Sequence, residues 1–290
     1  MSTKQPITLI ECPRDAMQGW KTFIPTEKKI EYLQALLQVG FHTLDFGSFV
    51  SPKAIPQLAD TAEVLKGLRS NPVKTTTKLL AIIANVRGAE EAAAYEEISY
   101  LGFPFSVSET FQQRNTNSSI EQSLERVREI QGICEQTSKQ LVIYISMGFG
   151  NPYGDPYSAE IVFDWVNRIA GLGVHIISLA DTVGLATPEQ VTNITSYVIN
   201  KLPQHEIGVH LHSSVDNREA KIAAAWQAGC RRFDGALKGI GGCPMANDDL
   251  VGNIDTEWLI SFFEQYEKMP GLNKTALAKS LTLANDIFTL

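Results

Sequence analysis

The chain has 290 residues, of which 44% are hydrophobic and 20% charged, and its 25 Lys+Arg against 32 Asp+Glu give a formal net charge of -7. That is enough apolar material for a sizeable core, which excludes a disulfide miniprotein and a disordered tail. The acidic balance excludes a general grip on nucleic acid, while leaving room for an anionic small ligand held by a few local Lys or Arg.

The N-terminal apolar segment is about four residues long before Glu11, too short for a signal peptide, and no run of 18 apolar residues follows. Short runs rich in Ile, Val and Leu then recur along the chain. They predict strands over Ile7–Cys12, His42–Gly47, Lys78–Ala84, Ser99–Val107, Gln140–Gly148, His175–Asp181, Glu206–His212 and Arg232–Leu237. Helical spacing fills the intervals. In Thr26–Val39, Ile30, Leu33, Leu36 and Leu37 share one face, and Thr187-Pro188-Glu189-Gln190 opens another helix with a capping box. Eight such alternations in roughly 260 residues predict a (β/α)8 TIM barrel, whose usual size is about 250 residues. A doubly wound open sheet is the alternative, but Pro13-Arg14-Asp15-Ala16 follows the first strand where a dinucleotide fold has its Gly-rich turn. The expected organisation is a single catalytic domain over 1–290, with the barrel at about 7–267 and a C-terminal helix over Asn273–Leu290.

Cys12, Cys134, Cys230 and Cys243 lack both disulfide density and the paired spacing of a zinc site, and are expected to be reduced thiols in a cytoplasmic protein. Chemistry in such a barrel sits at the C-terminal ends of the strands. The polar residues there are Glu11, Arg14 and Asp15 after strand 1, Asp45 on strand 2, Asp181 on strand 6, and His210 and His212 on strand 7. A Gly-rich loop, Lys238 to Pro244, follows strand 8 and leads to Gly252-Asn253. Side chains two apart on a strand share a face, so His210 and His212 either converge on an ion or are hydrogen-bonded core residues. With Asp15 and the Asn253 amide at the same end, the set N2O2 suits Mg2+ or Mn2+. Cys243 is either an exposed loop thiol or a small buried hydrophobe. Arg14 is either a surface partner of Asp15 or a stabiliser of an enolate oxygen. Asp45 and Asp181 need partners if buried, and Asp181 is read as holding loops or orienting the histidines.

At these residues the sequence resembles the hydroxymethylglutaryl-CoA lyase branch of the metal-dependent barrel lyases and Claisen-condensing enzymes. Pro13-Arg14-Asp15-Ala16-Met17-Gln18 is similar to the family's Pro-Arg-Asp-Gly-Leu-Gln. Ser48-Phe49-Val50-Ser51-Pro52-Lys53, Ser178 to Gly184, His210-Leu211-His212, Gly239-Ile240-Gly241-Gly242-Cys243-Pro244 and Gly252-Asn253 continue the match. The resemblance implies cleavage of 3-hydroxy-3-methylglutaryl-CoA to acetoacetate and acetyl-CoA, a step of leucine degradation. It implies Asp15, His210, His212 and Asn253 as metal ligands, and Arg14, Asp45, His210 and Cys243 as catalytic residues. Gln18, Lys21 and Ser108 would contact an acyl-CoA substrate, and the chain would form a homodimer. A related acyl-CoA or 2-oxo-acid lyase or condensing enzyme, or a silent acyl-CoA-binding barrel, are the alternatives. The chain departs from the family at Ala16 (usually Gly), Asp45 (usually Glu), Val142 (usually Arg) and Ser213-Ser214 (usually Asp-Thr).

Overall fold

The computed structural model describes residues 6–242, 251–266, 269 and 271–289. Eight strands, β1 (Thr8–Glu11), β2 (Thr43–Ser48), β3 (Lys78–Ile82), β4 (Ile98–Ser106), β5 (Gln140–Ser146), β6 (Ile176–Asp181), β7 (Glu206–Leu211) and β8 (Arg232–Gly235), close into a barrel in sequence order. Every pairing is parallel, including β1 with β8. The strands read as near-continuous apolar runs because helices cover their outer face and the barrel interior their inner one. Leu80, Ile82, Tyr100, Val142, Tyr144 and Ile176 form a separate cluster inside the barrel, distinct from the large core between strands and helices.

The helices are α1 (Pro13–Gln18), α2 (Thr26–Leu37), α3 (Thr61–Ser70), α4 (Val86–Ala93), α5 (Glu109–Thr116), α6 (Ile120–Gln136), α7 (Ala159–Ala170), α8 (Pro188–Lys201), α9 (Arg218–Gln227), α10 (Thr256–Glu264) and α11 (Lys274–Ile287). The expected capping box at Thr187 is present, with Pro188 as the first helical residue of α8. The C-terminal helix α11 is capped by Asn273 and packs against α2, where the buried Phe288 meets Trp20 and Tyr32 edge-on at 5.3 and 6.2 Å. Among the described residues no helix is long and apolar enough to cross a membrane.

Most strands end one or two residues earlier than the hydrophobic runs predict, and at β7 and β8 the cause is a neighbouring segment. His212 leaves the parallel ladder to make an antiparallel bridge with Asn253, and Ala236 bridges Asp255, so the ends of β7 and β8 are pinned by the segment before α10. Within the barrel, Gly208 on β7 permits a close crossing: a Cβ there would stand 2.8 Å from Arg232 Cδ.

Candidate active site

Pro13 occupies the first helical position of α1, where its missing N–H costs nothing, and the chain turns at once out of β1. This sets Arg14 and Asp15 at the barrel mouth, both buried. The Arg14 guanidinium grips Asp45 on β2 through Nε (3.0 and 3.2 Å) and Nη2 (2.5 Å), and its Nη1 donates to Asp15 Oδ1 and Gln18 Oε1, each at 2.9 Å. Gln18 Nε2 returns a bond to Asp15 Oδ1 at 2.8 Å. Burial alone would raise the Asp15 carboxyl, but the Arg14 guanidinium, His210, His212 and the Asn253 amide hold it down at about 2. At Asp45 burial outweighs Arg14, and the carboxyl sits at about 6.

His210 and His212 share the inner face of the β7 end, with their Nε2 atoms 3.2 Å apart. His210 Nδ1 lies 3.1 Å from Asp234 Oδ2 on β8. Burial and the neighbouring His210 push the His212 ring down to about 4, with the Val251 backbone acting the other way. Burial also disfavours a charged His210, but the Asp234 carboxylate overcompensates and its pKa is raised. Donor atoms of Asp15, His210 and His212 all lie within 4.8 Å of one another. Asn253 completes the group: its Nδ2 donates to Asp15 Oδ2 at 2.6 Å and to the Ile240 carbonyl at 2.9 Å, and among the described residues no donor takes its amide oxygen.

This donor set fits a divalent cation. Asp234 occupies His210 Nδ1 on the side away from His212, so the two Nε2 atoms, 3.2 Å apart, and a carboxylate that is ionised at neutral pH face one point, as the ligands of one ion would. Gly241, at φ +108°, closes the wall, since a Cβ there would lie 2.6 Å from Asn253 Nδ2 and 2.8 Å from the Asp15 carbonyl.

A cavity of about 700 Å3 opens above this group. Arg14, Asp15, Gln18, His210 and His212 form its polar floor, while Val50, Ile55, Ile82, Pro104 and Phe111 supply apolar wall, with Arg114 and Asn115 also lining it. Asp181 stands behind the site. It accepts from the Ala186 amide at 3.1 Å and from Lys221 Nζ at 2.8 Å, and the same Nζ donates to the His212 carbonyl at 2.9 Å and the Gly184 carbonyl at 3.0 Å.

Two residues expected to touch substrate lie away from the cavity wall. Lys21 is exposed and does not line it. Ser108 is fully buried and spends its hydroxyl on capping α5 and on Asp155 Oδ2 at 2.5 Å, because a serine before a helix is first a partner for the unsatisfied amides there. Cys243 lies outside the described residues. Sequence reasoning missed Asp234 and Lys221; the only signal for Asp234 is that it follows Arg232 by two on a strand, and nothing local distinguishes Lys221 from a solvent-facing helical lysine.

The HMGL-like family model matches residues 8–283. The chain is 34% identical over 250 residues to a cytoplasmic 3-hydroxy-3-methylglutaryl-CoA lyase of Mus musculus, covering 86% of this chain and 71% of that one. It is 32% identical over 270 residues to the mitochondrial hydroxymethylglutaryl-CoA lyase of the same organism, covering 92% and 81%. Among solved structures, an HMG-CoA lyase from Brucella melitensis aligns with a TM-score of 0.89 at 29% identity over 97% of this chain and 98% of that one. One from Acinetobacter baumannii, in complex with coenzyme A and 3-methylmalate, gives 0.89 at 33% identity over 99% and 92%.

Proposed function

The chain belongs to the HMGL-like family, and from that premise we propose that it is a carbon–carbon lyase that cleaves 3-hydroxy-3-methylglutaryl-CoA to acetoacetate and acetyl-CoA. The observation that carries this is the convergence of Asp15, His210, His212 and Asn253 beside Arg14 on the floor of one cavity. Asp15, His210, His212 and the Asn253 amide oxygen would hold Mg2+ or Mn2+, as suits two neutral imidazoles with two oxygens. When bound, the ion supplies Lewis acidity toward the substrate's tertiary hydroxyl and fixes its orientation.

The chain's own groups do the rest. A basic group at the site removes the hydroxyl proton, with His210 taking part through the ion it helps to hold; the C2–C3 bond breaks, C3 becomes the ketone of acetoacetate, and the electron pair moves into the thioester enolate. Arg14 stabilises that developing oxygen charge, held in place by Asp45. Cys243 then delivers a proton to C2, giving acetyl-CoA. Gln18 lines the cavity and braces Arg14 and Asp15, and is assigned to substrate contact on that ground. Coenzyme A bound to the Acinetobacter baumannii relative supports an acyl-CoA substrate. From the family resemblance we also propose a part in leucine degradation, a homodimer and a cytoplasmic location, the last in line with the cytoplasmic relative of Mus musculus although a mitochondrial one is nearly as similar. The test is release of acetyl-CoA from a panel of 3-hydroxyacyl-CoAs incubated with purified protein and Mg2+. Turnover of the 3-hydroxy-3-methylglutaryl thioester above all others is expected, and preference for a different acyl group refutes the assignment.

A further inference from the structure

His210 is constrained on three sides. Its Nε2 faces His212 Nε2 at 3.2 Å, its ring meets the Tyr144 ring edge-on at 5.8 Å, and its Nδ1 meets Asp234 Oδ2 at 3.1 Å. Asp234 has a fully buried side chain and comes from β8, the strand adjacent to that of His210. Nothing in the assignment of ligands or catalytic groups uses it. Yet a carboxylate sealed in a barrel interior is costly, and it stays only where neighbouring groups compensate it.

The compensation is built into β8 itself. Arg232 precedes Asp234 by two residues and shares its inner face, and its aliphatic stem runs across Gly208, two residues before His210 on β7. Arg232 is 1% exposed. Its Nη1 donates to Glu206 at 3.1 Å, while its Nε and Nη2, and Asp234 Oδ1, are buried with no partner among the described residues. Arg232 makes no direct ion pair with Asp234, but its buried charge acts on the carboxylate from the same strand, and the one contact Asp234 makes among these groups is Oδ2 to the imidazole. An imidazole that donates from Nδ1 has its lone pair on Nε2, the atom facing Asp15 and His212.

We propose that Asp234 is the positioning residue for His210: it holds the ring in the Nδ1–H tautomer, with Arg232 as its buried counter-charge, and so presents the Nε2 lone pair to the ion site. This rests on the ion site proposed above, but its first test does not. Protein labelled with 15N-histidine and stripped of metal is examined by NMR at about pH 9, where unperturbed imidazoles are neutral. The wild type is expected to carry the proton on His210 Nδ1. Asp234→Asn, whose amide oxygen still accepts, is expected to keep that pattern, and Asp234→Ala to shift toward Nε2–H. A wild-type ring protonated on Nε2, or an unchanged tautomer in Asp234→Ala, overturns the proposal whatever reaction the protein catalyses.

The second readout is Mn2+ affinity without substrate, followed by electron paramagnetic resonance. Loss of such an orienting partner typically weakens metal binding about 10- to 100-fold, so Asp234→Ala should fall in that range with Asp234→Asn between it and wild type. Activity lost at limiting Mn2+ should return at excess. Should the alanine variant fail to fold, Asp234→Leu, which fills the space without an acceptor, takes its place, and an unchanged tautomer or Mn2+ affinity equal to wild type in that variant overturns the proposal. Because Cys12, His210 and Asp234 also bring donor atoms within 4.8 Å of one another, binding of a second equivalent of ion that Asp234→Asn removes would make Asp234 a ligand and likewise overturn it.

Discussion

Removing Lys221 tests how the back of the site is held. Its ammonium is buried between the Asp181 carboxylate (2.8 Å) and the carbonyls of His212 (2.9 Å) and Gly184 (3.0 Å), with side-chain exposures of 1% and 2% for Lys221 and Asp181. Lys221→Met keeps the stem's bulk but leaves a sealed carboxylate with only the Ala186 amide of these partners, and two carbonyls without a donor. Breaking a buried pair from one side costs about 3–5 kcal/mol, or roughly 10 °C in melting temperature at this size. Burial already raises the Asp181 carboxyl against the pull of Lys221, and without the cation it rises further. A raised carboxyl contributes stability at pH values below its unfolded pKa and loses it as pH climbs through the folded one. The deficit should therefore be larger at pH 8 than at pH 5 in thermal melts followed by circular dichroism. Lys221→Met combined with Asp181→Asn, which removes the stranded charge, should recover more than half of the loss. A single variant melting within about 2 °C of wild type at pH 8, or a double variant no better than the single, refutes the argument.

Arg14→Lys keeps the charge but not the fork that spans Asp45, Asp15 and Gln18, and should lower kcat about 100- to 1000-fold at saturating substrate; a near-wild-type kcat would remove Arg14 from enolate stabilisation. Cys243→Ser should bind Mn2+ normally yet turn over poorly, because a hydroxyl is a far weaker acid than a thiol, and thiol alkylation should mimic it with substrate protecting; undiminished kcat would exclude the thiol. Burial pushes the Glu11 carboxyl up to about 8 against its bonds from Thr256 and the Leu237 amide, so wild-type stability should fall by about 1.4 kcal/mol per pH unit from this group as pH rises from about 5 toward 8. Glu11→Gln should flatten that slope in urea titrations, and an identical slope contradicts it.

The barrel is legible because most strand residues are buried on both faces and each helix on one, a pattern that shows in the order and spacing of apolar residues. What local pattern could not supply were pairings made across the barrel. Arg14 next to Asp15 reads as a neighbouring ion pair, whereas the stronger grip is on Asp45, 31 residues away. Lys221 sits in α9 near Arg218 and Glu219 and reads as solvent-facing, yet it reaches back 40 residues to Asp181. His212 reads as the end of a strand, and its bridge to Asn253 depends on a segment beyond β8. Ser108 shows a role that local pattern does supply, since a serine at a helix start is a cap, and it caps α5.

The charges around the two imidazoles lead to a final expectation. Asp15, Asp45, Asp181 and Asp234 are four carboxylates, set against three cations, Arg14, Lys221 and Arg232. These residues leave the site with little net positive charge of its own, although the thioester it is proposed to receive is a polyanion. A divalent ion among Asp15, His210, His212 and Asn253 would add positive charge at the cavity floor, where low dielectric makes one charge count for more than at a surface. Acyl-CoA affinity, measured calorimetrically with a thioether analogue that cannot be cleaved, should therefore drop sharply on chelation and return with Mg2+ or Mn2+. Mn2+ at 100 times its Kd should stabilise the fold by about 2.7 kcal/mol, roughly 5–10 °C, and Asp15→Asn should abolish that shift. Full turnover in metal-free protein, or equal analogue affinity with and without the ion, would show that the site balances its charge in another way.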